Sequence, residues 1–151
     1  MHARAAALIL VVLALVAAGC GSDQGQGDYA KALNKAQTGL RQQFTKLGSR
    51  ITPTSSAKQD QRTLTAYEQV VDSTVDDLRA VQPPDGLAAL HQRFVSQVAG
   101  YGSALRTARG GLSSGKPSAI LAAQSRLSDQ LTQTGRRLNA TIEAINKKIK
   151  G

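Results

Sequence analysis

The chain has 151 residues, with 19 Lys and Arg against 10 Asp and Glu, a single Cys, no Trp and a formal net charge of +9. That length suits one domain with one core behind any leader, and a lone cysteine excludes an intramolecular disulfide framework. Glu occurs only at 68 and 143, and beyond the N-terminal His2 the only histidine is His91. A di-metal carboxylate bundle, which needs inward-facing Glu-x-x-His pairs, is therefore excluded.

His2 and Arg4 form a short basic tip, Ala5 to Ala18 is an unbroken apolar run, and the small residues Ala17, Ala18 and Gly19 lead into Cys20. This is the layout of a secretory signal peptide. The run falls short of the roughly 20 apolar residues that a membrane-spanning helix needs. The polar, glycine-rich stretch Gly21-Ser22-Asp23-Gln24-Gly25-Gln26-Gly27-Asp28 has the composition of a flexible tether. The ending resembles a bacterial lipobox, with Ala17 where that box usually has Leu. The resemblance implies that Cys20 carries diacylglycerol and palmitate and becomes the first residue of the mature chain. The rival is a non-lipidated secreted protein, cut at an Ala-x-Ala-like triplet, with Cys20 incidental. The expected organisation is a signal peptide over 1–19, the lipidated cysteine and tether over 20–27, and a helical domain over 28–151.

Beyond the tether, apolar residues recur at steps of three and four, the spacing of one helix face. The first stripe is Tyr29, Leu33, Ala36, Leu40, Phe44, Leu47 and Ile51. Thr52-Pro53-Thr54-Ser55-Ser56 interrupts it, and Ser55 or Ser56 is placed to cap the next helix. The second stripe is Leu64, Tyr67, Val71, Val75, Leu78 and Val81, ended by Pro83-Pro84-Asp85-Gly86. The third runs through Leu87, Leu90, Phe94, Val98, Tyr101, Leu105, Ala108 and Leu112 to Ser113-Ser114-Gly115-Lys116-Pro117. The last is Leu121, Leu127, Leu131, Leu138, Ile142, Ile145 and Ile149. Short connections make consecutive helices antiparallel neighbours, so the expected fold is all-α, an up-down-up-down four-helix bundle. All five aromatic residues fall on the stripes, where their expected task is to fill the core.

Charge is unevenly placed. Residues 20–86 carry eight basic and eight acidic side chains, whereas residues 87–151 carry ten basic side chains against only Asp129 and Glu143. Such an excess suits an anionic membrane surface or an acidic polymer, or is a plain solvated face. Export and the lack of aromatic residues among the Arg and Lys argue against nucleic acid. Lys147, Lys148 and Lys150 at the end of the last helix offset its dipole. In an up-down-up-down bundle they also lie beside the start of the first helix, facing anionic head groups.

Catalytic motifs do not survive inspection. Gly110-Gly111-Leu112-Ser113-Ser114-Gly115-Lys116 begins like a phosphate-binding loop, but Pro117 stands where a metal-binding Ser or Thr is needed and a helix precedes it. It reads as a glycine-rich interhelical turn. His91 has no acid at helical spacing behind it and reads as a boundary residue, and no serine is singled out for a Ser-His-Asp site. Asn139-Ala140-Thr141 fits a glycosylation sequon but falls mid-helix.

The mature part also looks like the small helical lipoproteins of high-GC actinobacteria, a likeness of style without a motif. It implies a lipid-anchored protein on the extracytoplasmic face of the bacterial cell membrane. The expected function is non-enzymatic: a cell-envelope scaffold or adaptor with no cofactor and no catalytic or metal site, whose partners are membrane lipid and an envelope protein. The alternative is a small-ligand or metal-binding lipoprotein, with its site in the bundle or at its end.

Overall fold

The computed structural model describes residues 24–50, 52, 54–113 and 116–150. Cys20, the leader before it and Ile51 lie outside the described residues. Four helices make up the described chain: α1 (Gln24–Gly48), α2 (Ala57–Arg79), α3 (Ala88–Ser113) and α4 (Pro117–Lys150). The all-α expectation holds among the described residues.

The helix ends follow local chemistry. Ser56, not Ser55, is the N-cap of α2: its backbone is extended and its hydroxyl accepts from the Gln59 N–H at 3.3 Å. Between α2 and α3, the Leu87 N–H donates to the Pro84 carbonyl, and Gly86 sits at the third position of that turn with φ +76°. A side chain there is strained, so glycine is needed. Pro117 opens α4, where its missing N–H has no helical partner to lose.

Cross-helix contacts fix the topology. Pairings between α2 and α3 descend in register: Gln61 with Ser113, Glu68 with Arg109, Asp72 with Arg106. Those between α3 and α4 do the same, with Gly111 against Ala123, Gly100 against Thr134, and Gly86 bonded to Lys148. Both pairs are therefore antiparallel. On α1, Tyr29 meets His91 and Phe44 meets Tyr101, so α1 runs parallel to α3 across the bundle. The order is up-down-up-down.

All four helices contribute to one core, including Leu33, Phe44, Val71, Leu78, Phe94, Val98, Ile142 and Ile145. Tyr29, Phe44, Tyr67 and Phe94 are buried and Tyr101 is half-buried against the same cluster, as the stripes implied. Phe44 meets Tyr67 edge-to-face at 4.6 Å, a favoured aromatic geometry. Three buried threonines, Thr63, Thr74 and Thr141, satisfy their hydroxyls on the carbonyl four residues back.

Three sequence readings are corrected. First, α1 begins at Gln24, so residues 24–27, assigned to the tether, form its first turn. Once Tyr29 and Ala30 are buried, extending the helix backward adds one backbone bond per residue and outweighs poor glycine propensity. Second, Leu121 is 67% exposed rather than in the core. At that level α4 buries Ala123 against the end of α3, and Leu121 lies on a different face. Leu127 and Leu131 are half-buried, and the fully buried stripe begins at Leu138. Third, Gly110 and Gly111 belong to α3 rather than to a turn. A Cβ on Gly111 would collide with that of Ala123, so this glycine brings α3 and α4 close together.

Candidate functional site

Three regions carry polar chemistry. The first is the end of the bundle where α1 starts. His91 is buried, and its Nδ1 lies 3.1 Å from the Tyr29 hydroxyl, with the two rings edge-to-face. Burial pushes the His91 imidazole below its usual range, opposed by its hydrogen bond to the Leu78 backbone. The Tyr29 hydroxyl and Nδ1 of His91 share one hydrogen bond inside the bundle. Burial likewise pushes the Tyr29 hydroxyl up to about 12. One imidazole thus joins α1, the C-terminal end of α2 and the first turn of α3. The sequence placed His91 at a boundary; the structure places it inside, in contact with Tyr29.

The same end holds the lysine-bearing tail. Lys148 Nζ donates to the Gly86 carbonyl at 3.1 Å, which pins the end of α4 to the α2–α3 turn. Lys147 and Lys150 are exposed. The start of α1, the start of α3 and the end of α4 therefore share one end of the bundle. Cys20, four residues before Gln24, lies outside the described residues. The chain between them spans at most about 14 Å.

The second region is the α2–α3 seam. Glu68 is buried, and its Oε1 lies 2.8 Å from Arg109 Nε, although the N–H does not aim along that line, so the contact is an ion pair without an aligned hydrogen bond. Asp72 and Arg106 form a looser exposed pair at 3.7 Å. Sequence reasoning missed Glu68–Arg109 because its partners are on different helices, and only the register of α2 against α3 brings them together.

The third region lies between α3 and α4. Gly100, Ser103 and Thr107 face Gln130, Gln133 and Thr134 across an open groove of about 220 Å³. Its lining is hydroxyl, amide and small side chains. By contrast, the gap inside the core, among Leu40, Leu78, Phe94, Val98 and Leu138, is apolar and about 10 Å³, the space of a single water at most. Among the described residues no three His, Cys, Asp or Glu side chains gather as a metal site would require, and no helix is long and apolar enough to cross a membrane. No protein-family model, no curated protein and no solved structure matches the chain.

Proposed function

We propose that the protein is a lipid-anchored, extracytoplasmic component of the cell envelope whose four-helix bundle serves as a non-enzymatic scaffold or adaptor. The observation that carries this reading is the N-terminal pattern: basic tip, apolar run, small residues, then Cys20 and a polar stretch. Two features of the fold support it. Each helix buries a stripe in one shared core, so the bundle closes without lipid. The end of the bundle where α1 starts also carries exposed Lys147 and Lys150. Each lysine near anionic head groups is worth about 1 kcal/mol, a second contact that orients the domain. The small-ligand alternative gains little support from the gap of about 10 Å³ among Leu40, Leu78, Phe94, Val98 and Leu138.

Cell fractionation tests the proposal. The full chain is expected in the membrane fraction and extracted only by detergent, and Cys20→Ala in the soluble fraction or as unprocessed precursor. A Cys20→Ala chain that fractionates and is processed like the parent would overturn it.

A further inference from the structure

The groove between α3 and α4 has a charge pattern that its polar lining does not explain. α3 carries no acidic residue and three arginines. Two of these, Arg106 and Arg109, turn toward α2 and pair with Asp72 and Glu68. The third, Arg93, is exposed and stands two turns before Gly100, so the two positions share one face of α3. On α4, Arg126 stands one turn before Gln130, and Arg137 one turn after Gln133. Side chains one turn apart share a face, so these two arginines bracket the groove at its two ends. They are three helical turns apart, or about 16 Å. Both are exposed, and neither they nor Arg93 pairs with a carboxylate among the described residues. Asp129, also exposed, stands one turn before Gln133 and three residues after Arg126, so one carboxylate shares this face with the arginines.

Unpaired, outward guanidinium groups favour carboxylate or phosphate. The stretch between them offers hydroxyls and amides, which both donate and accept, and so suits a partner dense in hydroxyls rather than bare charge. The groove is open rather than closed, and arginines stand beyond its lining on α4, which fits a segment of polymer better than an enclosed small molecule. We infer that the α3–α4 groove is a docking surface for an acidic polysaccharide, its sugar hydroxyls against Ser103, Thr107, Gln130, Gln133 and Thr134 and its carboxylates on Arg126 and Arg137.

This surface does not depend on the lipid at Cys20; only its cellular setting rests on the anchored reading. Binding is measured with the full chain in nonionic detergent, using fluorescently labelled oligogalacturonate of about twelve residues, and repeated with Cys20→Ala. Both chains are expected to bind equally, and added salt to weaken binding by screening. Arg126→Gln with Arg137→Gln should weaken binding about tenfold, the loss of two charge-assisted contacts. Gln130→Ala with Thr134→Ala should weaken oligogalacturonate several-fold while leaving polyphosphate binding unchanged. Lys147→Gln with Lys150→Gln, at the end of the bundle, should have no effect. All replaced side chains are exposed or half-buried at the surface, and unchanged helicity and melting confirm folding. Absence of binding, equal affinity for polyphosphate of matched charge, or equal losses from the lysine and arginine pairs would each overturn the inference.

Discussion

The Tyr29 hydroxyl and Nδ1 of His91 lie 3.1 Å apart across 62 positions of sequence, and that contact closes the end of the bundle from which the chain emerges. Because the same imidazole also bonds the Leu78 backbone, α1, α2 and α3 are joined through one titratable ring. Stability at this end therefore depends on pH in both directions.

On the acid side, folding holds the His91 pKa below its ordinary 6.5, so the unfolded chain binds the proton more readily than the folded one. The stability from neutral His91 is complete above 6.5 and declines as pH falls below it toward the depressed value. Thermal melting between pH 7.5 and 5.5 should show a falling midpoint in the parent. In His91→Gln the midpoint should be lower at pH 7.5 and nearly flat over the same range.

On the alkaline side the sign reverses. Tyr29 ionises at about 12 in the fold against 10.0 ordinarily, so its contribution is complete below 10 and lost as pH rises toward 12. Burial also raises the pKa of Tyr67 and Tyr101. Tyr29→Phe should reduce the loss of helicity above pH 10 without abolishing it, as monitored by circular dichroism alongside phenolate absorbance.

The register of α4 is tested by two apolar truncations. Ile145 has no exposed surface, and Ile145→Ala should cost about 2–5 kcal/mol. Leu121, mostly in solvent, should lose no more than about 0.5 kcal/mol on Leu121→Ala. Denaturant unfolding of the two variants distinguishes them, and equal losses would move the buried face of the helix.

Two adjacent glycines give a sharper contrast. A Cβ at Gly110 meets open space, whereas one at Gly111 runs into Ala123. Gly110→Ala should stabilise by up to about 1 kcal/mol through helix propensity. Gly111→Ala should destabilise by about 1–3 kcal/mol through overpacking, and the second change Ala123→Gly should recover part of that loss.

At the α2–α3 seam, Arg109→Ala leaves the carboxylate of Glu68, whose side chain is 9% exposed, without its cation. A cost of about 1–3 kcal/mol is expected, moderated because Arg109 itself is partly in solvent. Arg106→Ala, which breaks the exposed pair with Asp72, should cost under about 1 kcal/mol.

Much of this architecture was legible in the residues, and the exceptions have physical causes. The period of apolar side chains located four helices, and prolines and serines located the breaks, because those signals are local. Burial of Tyr29, Phe44, Tyr67 and Phe94 followed from their place on the stripes. Leu121 shares the spacing of the α4 stripe, but whether a helix face is covered depends on what lies opposite, which periodicity does not encode. Glu68–Arg109 and Tyr29–His91 likewise depend on register between helices. Gly111 looked like part of a turn because glycine marks turns and close helix approach alike. The α3–α4 groove was visible only as an unassigned basic excess in the second half, since the pairing of Arg106 and Arg109 to α2 is what distinguishes them from Arg93, Arg126 and Arg137.

The central claim is that Cys20 is the lipidated first residue of the mature protein, and its most direct test is the mass of the N-terminal peptide from the purified membrane fraction. That peptide is expected to begin at Cys20 and to carry the mass of a thioether-linked diacylglycerol. A peptide beginning elsewhere, or an unmodified Cys20 at the mature terminus, would contradict it.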